Sequence, residues 1–222
     1  GGEFHSRAGF VLLGNFRHAP NLDAFRWMRA EVWPRIRALK PDAELHSYGA
    51  YPPKEVMEAH QPRAGFHVHG PAKTLAEVFQ GRRVSLGPLR FGAGIKGKVS
   101  DSWVHGVPVA GTSIAAEGMR GSGDWGGVLA DDAESLARVS VELHEREELW
   151  SGAVAAGGAI LSELFSEVRF ERDLLASLEQ ARATRATMGD DWIRGMLTHS
   201  FSDSYRYFGR WLEAKAAMKV PR

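Results

Sequence analysis

Up to Ala130 the chain alternates short apolar runs with stretches of helical spacing, and this alternation restricts the possible folds more than any other feature. Gly9-Phe10-Val11-Leu12-Leu13-Gly14 is an apolar run closed by glycine, the pattern of a strand buried on both faces. Similar runs lie near 43–48, 65–69, 84–87, 107–111 and 127–130. Between the first two, Leu22, Phe25, Trp27, Val32 and Ile36 recur at helical spacing behind an expected Asn21 cap, and Pro34 should kink or divide that helix. Further helices are expected near 54–60, 74–79 and 96–105. The order predicts an α/β fold: a parallel sheet of about six strands with helices on both faces, and any ligand above the carboxyl ends of the strands. From Asp131 onward no strand signal remains. Leu136, Leu143, Leu149, Ile160, Leu164, Leu174, Leu178, Trp192, Tyr207 and Trp211 mark a helical C-terminal extension, whose aromatics are expected to pack helices.

With 222 residues there is room for one such domain and an extension. The expected division is a short leader over 1–8, a domain over 9–165 and the helical extension over 166–222. Gly1-Gly2-Glu3-Phe4 reads as a cloning remnant and is placed outside the fold. A formal charge of only +1, from 28 basic and 27 acidic residues, offers no field for a nucleic acid. The chain has no cysteine, which excludes disulfides and thiolate metal sites and leaves the cytoplasm as the nearest expectation for its location. Even the run over 153–161 falls short of the roughly 18 apolar residues of a spanning helix, so no transmembrane segment is expected. His5, His18, His46, His60, His67, His105, His144 and His199 show no carboxylate spacing typical of a metal site. They are read as surface or core residues, and neither a metal nor a cofactor is expected. No Gly-x-Ser-x-Gly element suggests a hydrolase.

The densest chemical signal is Pro88-Leu89-Arg90-Phe91-Gly92-Ala93-Gly94-Ile95-Lys96-Gly97-Lys98, between the fourth strand and the next helix. Glycines admit an anion close to the backbone, helix-start N–H groups point at it and the cations neutralise it. Gly92, Gly94 and Gly97 fit the dinucleotide pattern G-x-G-x-x-G, but in mid-chain rather than after the first strand. Residues 92–98 also fit G-x-x-x-x-G-K, yet Val99 occupies the Ser/Thr position that would hold magnesium.

The order of several motifs is more specific than this loop. Gly14-Asn15-Phe16 is followed by Pro20-Asn21-Leu22-Asp23-Ala24, Trp33-Pro34, the 87–98 stretch, Gly106-Val107-Pro108-Val109 and Thr112-Ser113-Ile114-Ala115-Ala116-Glu117-Gly118-Met119. In this order the chain resembles the C-terminal, donor-binding Rossmann-like domain of GT-B glycosyltransferases, family 4-like (glycosyl transferases group 1). The resemblance implies a retaining transferase that binds a UDP- or GDP-linked sugar and works with an N-terminal acceptor domain, where its catalytic residues would lie.

It also implies roles for individual residues. Asp101 falls where the second acid of the family's Glu-x7-Glu element holds the ribose, and a carboxylate can accept from both hydroxyls of a diol. Ala93 stands in place of the first acid, with the backbone N–H groups of Gly94 and Ile95 expected to compensate beside Gly92. Arg90 and Lys96 are the main candidates for the diphosphate, with Lys98 a lesser one. Gly14 and Asn15 would approach from the first strand, with Arg17 replacing the family's cation. His69 would read the nucleobase or serve the fold. Thr112 lines the later loop, where Glu117 either touches the sugar or caps a helix. Two other readings stay open: a non-catalytic interaction domain with this fold, and half of a nucleotide-sugar epimerase.

Overall fold

The computed structural model describes residues 2–187, 206–208, 210 and 211. Its centre is one sheet of six parallel strands: β1 (Ala8–Leu13), β2 (Leu45–Tyr48), β3 (Phe66–Gly70), β4 (Arg82–Gly87), β5 (Val109–Gly111) and β6 (Gly127–Leu129), in the order β3-β2-β1-β4-β5-β6. The order reverses between β1 and β4, the point at which doubly wound sheets open a crevice at their carboxyl edge. Phe10 and Val11 in β1 are completely buried on opposite faces, which explains why the strand reads as a continuous apolar run.

Phe10, Leu12, Leu45, Val84 and Leu86 form the larger core with residues of α2 (Ala19–Trp27), α3 (Trp33–Leu39), α8 (Ala133–Glu145) and α9 (Glu147–Leu164). On the other face Val11 and Tyr48 meet Val78 and Phe79 of α5 (Leu75–Phe79). Trp103 of α6 (Gly97–Val104) lies in a third cluster with Val99, Met119 and Ile160. Short helices α4 (Lys54–Met57) and α7 (Ser113–Ala116) complete the crossovers.

Three details differ from the sequence reading. His18 rather than Asn21 precedes α2, with Pro20 in its first turn, and this frees the Asn21 side chain for other bonds. The break expected at Pro34 takes the form of a π-helical segment, Met28–Val32, ahead of α3, so the ring enters a first turn where its missing N–H costs nothing. Residues Gly2–Ser6, placed outside the fold above, form α1, and Phe4 is buried with its ring edge-on to Trp150 and beneath the Arg83 guanidinium. A four-residue apolar-poor leader carries no periodicity, so a single buried aromatic within it left no pattern to read.

The chain divides into two compact units, Gly1–Ser166 and Glu167–Arg222. In the second, α10 (Glu167–Thr187) exposes Val168, Phe170, Leu174, Leu175 and Leu178. Tyr207 and Trp211 are exposed as well, Phe208 stacks on Trp211, and Trp192, Tyr205 and His199 lie outside the described residues. By length and composition alone the stretch Glu147–Thr184 matches a membrane-crossing helix, with a mean hydropathy of 1.2 over its most apolar 18 residues. The interrupting glycines, alanines and serines dilute that stretch without making it polar, which a search for uninterrupted apolar runs overlooks. Within it α9 buries Trp150, Ala153, Gly157 and Ile160.

Candidate functional site

A cleft of about 720 Å³ opens at the carboxyl edge of the sheet, where the strand order reverses. Its wall comes from the ends of four strands and the loops that follow them: Leu13, Gly14 and Asn15 at the end of β1, Gly49 and Ala50 after β2, residues 71–75 after β3 and residues 91–93 and 95–98 after β4. Part of the floor is main chain. A Cβ on Gly49 would lie 2.0 Å from the Gly14 carbonyl oxygen and 2.4 Å from the Phe16 ring, so only glycine fits there. Gly14 N–H donates to the Tyr48 carbonyl at 3.1 Å and Gly49 N–H to that of Gly70 at 2.8 Å, which ties the ends of β1, β2 and β3 together. Opposite this floor, residues 91–95 loop into α6. Gly92 (φ 141°) and Gly94 (φ 76°) lie in the left-handed region that turns the chain there.

Of the residues singled out in the sequence, Gly14, Asn15, Gly92, Ile95, Lys96, Lys98 and Asp101 line the cleft, as does Ala93. The two lysines differ in their surroundings. Lys96 is buried, and its ammonium donates to the Gly94 carbonyl at 2.8 Å and faces Glu117 Oε2 at 3.4 Å. It is partly neutralised by the protein itself. Lys98, in the first turn of α6, lines the cleft and donates to Asn21 Oδ1. Burial pushes its ammonium down to about 8, because the charged form has lost water without gaining a carboxylate. Asp101 faces the same space from the second turn of α6. Its carboxyl is pushed up by burial, against a smaller downward pull from His105.

The remaining candidates lie outside the cleft lining. Arg90 turns away to Asp23, with Nε donating to Oδ2 at 2.9 Å, and the pair is solvent-exposed. Its position beside the glycine loop concealed this, since the partner is 67 residues earlier. Arg17 stacks on Tyr51, 3.5 Å from the ring centroid. His69 stacks on Tyr48 and bonds to His46, on the face of β3 rather than at the cleft. Thr112 caps α7 by accepting from Ala115 N–H and donates to the Leu89 carbonyl, so it shapes the glycine loop from beneath. Gly94 turns the loop without lining the cleft. Glu117 ends α7 and contacts Lys96.

Lining residues to which the sequence reading gave no binding role are His18, Pro20, Asn21 and residues 71–75, among them Lys73 and Thr74. All follow strand ends, so the rule that ligands sit at the carboxyl edge contained the only advance signal for them.

The sheet order and this cleft define the class of a Rossmann-like domain of the kind found in GT-B glycosyltransferases. Residues 7–146 match the family model described as glycosyl transferases group 1, and the chain belongs to that family. A variant of Staphylococcus aureus TarM, solved with fondaparinux, α-GlcNAc-glycerol and UDP, superposes with a TM-score of 0.62 at 11% identity over 76% of this chain and 35% of that one. The pneumococcal O-GlcNAc transferase GtfA with UDP and GlcNAc gives 0.58 at 15% identity over 78% and 37%. Anabaena HepE with UDP-glucose gives 0.61 at 12% over 80% and 50%. The chain thus spans between about a third and a half of the length of these proteins. A search of curated proteins returned no match.

Proposed function

We propose that this chain is the C-terminal, donor-binding half of a retaining GT-B glycosyltransferase and holds a UDP-linked sugar in the carboxyl-edge cleft. The observation that carries the reading is the placement of Lys98 and Asp101 on one helix face above a glycine-built floor at the switch point of the sheet. Lys98 takes the diphosphate, whose negative charge increases as the sugar leaves, and Asp101 accepts from the ribose hydroxyls. Lys96, held by Glu117 and the Gly94 carbonyl, sets the shape of the loop and adds charge from behind. UDP is favoured over GDP because the structurally similar proteins above were solved with UDP or UDP-glucose. An N-terminal acceptor domain would close the open side of the cleft and supply the acceptor chemistry.

Calorimetric titration of the chain with UDP, GDP and UDP-glucose tests this. UDP binding that survives Arg90→Ala and weakens about 10- to 100-fold in Lys98→Met is the expected result. Ala93, in the place of the family's first acid, is what a non-catalytic interaction domain would also show. A folded chain that bound none of the three ligands, alone or joined to its acceptor domain, would establish that second reading.

A further inference from the structure

Away from the cleft, three side chains on the β2–β3 side of the sheet converge on one point. His46 and His67 are register partners on these adjacent parallel strands, so their rings leave the same face side by side and stack at a centroid distance of 4.7 Å. Glu44, two residues before His46, shares that face. Its Oε2 lies 3.8 Å from His46 Nε2 and its Oε1 lies 3.7 Å from His67 Nε2. Both Nε2 atoms are buried and make no hydrogen bond. Buried polar atoms in proteins are nearly always paired, so two orphans facing one carboxylate require an explanation.

We infer that Glu44, His46 and His67 form a binding site for a divalent transition-metal ion, with zinc as the ion whose preferences they fit. The candidate ligand atoms all lie within 4.8 Å of one another. In a tetrahedral zinc site with bonds of about 2.0 Å, neighbouring ligand atoms stand about 3.3 Å apart; the carboxylate must therefore close in from 3.8 Å and 3.7 Å, and the two stacked rings must tilt toward each other to share one ion. Glu44 is exposed and free to make its part of that adjustment, while strand pairing holds the backbones of His46 and His67 side by side and leaves their rings to turn about the side-chain bonds. Two imidazoles and one carboxylate leave a fourth position for water. The surroundings supply the outer contact that zinc-bound histidines generally have. His46 Nδ1 lies 2.9 Å from His69 Nε2, so with metal on Nε2 the Nδ1 proton is donated to His69. His69, expected from sequence to face a nucleobase, thereby becomes a positioning residue for His46.

Arg82 opposes a cation, and the Glu44 carboxylate offsets it. From sequence alone the site was hidden, because His67 follows His46 by a whole crossover and only the pairing of β2 with β3 joins them.

The test is direct titration of the full chain with zinc in a competition assay, and with cobalt followed by its visible spectrum. One equivalent should bind, the cobalt complex should show the intense d–d bands of a four-coordinate site, and Glu44→Gln and His67→Ala should each weaken zinc by tenfold or more. His69→Leu should weaken it about 10- to 100-fold by releasing the His46 ring. His5→Gln serves as the control and should change nothing. Stoichiometric zinc that persists in both Glu44→Gln and His67→Ala, octahedral cobalt bands only, or no binding by the folded wild-type chain would each overturn the assignment.

Discussion

At the scale of single residues, the cleft depends on which cation remains uncommitted. Arg90 forms an exposed ion pair, an interaction usually worth about 0–1 kcal/mol, and its loss should barely affect ligand binding. Lys98 combines burial with a pKa pushed down to about 8, which gives its proton a measurable signature. Because its folded pKa lies below the ordinary lysine value of 10.5, the unfolded chain holds the proton more tightly, and stability should rise as pH increases between those two values. Binding a diphosphate reverses the shift. Titration of UDP near pH 8.5 in buffers of different ionisation enthalpy should therefore show net proton uptake, and Lys98→Met should abolish it. Proton uptake unchanged in that variant would remove Lys98 from the diphosphate. None of this could be read from sequence. Arg90, Lys96 and Lys98 are equivalent as letters, and only the positions of Asp23, Glu117 and Asn21 distinguish them.

Secondary elements were more legible than residues. All six strands were visible, β1 most plainly because a strand buried on both faces is apolar along its length, as Phe10, Val11 and Leu12 illustrate, whereas β2, β3 and β4 keep fewer apolar positions between polar ones. Helix ends were less so: the Asn21 side chain looked like a cap yet bonds Lys98 and the Asn15 carbonyl. Packing between helices left no linear signal at all. Gly157 of α9 rests against the indole of Trp103 in α6, where a Cβ would come within 2.6 Å of the ring, and the same indole donates to the Gly126 carbonyl at 2.8 Å. Since α6 carries Lys98 and Asp101, this contact fixes the cleft from behind. Gly157→Val should lower stability by about 1–3 kcal/mol through overpacking, measured by chemical denaturation, and should also weaken UDP binding as α6 shifts. A loss of stability with UDP affinity intact would separate α9 from the cleft.

For the Gly1–Ser166 unit as a whole, the chain ends matter more than the sequence suggested. Phe4 joins the main core by meeting Trp150, whose indole donates to the Arg83 carbonyl at 2.7 Å, so the first helix and α9 are both anchored to the start of β4. Phe4→Ala should cost about 3–5 kcal/mol, read as a lower Tm in calorimetry, and should leave UDP affinity unchanged because the cleft opens at the other edge of the sheet. A variant with wild-type Tm would show that α1 adds nothing to the unit. The cleft itself raises a different point. Where Gly49 packs on the Gly14 carbonyl, the binding surface is peptide rather than side chain, and peptide groups are the same in every sequence. Proteins only 11–15% identical to this one can therefore share its fold. A compound resting on that floor would leave few routes to resistance, since a Cβ on Gly49 would collide with the Gly14 carbonyl and the Phe16 ring.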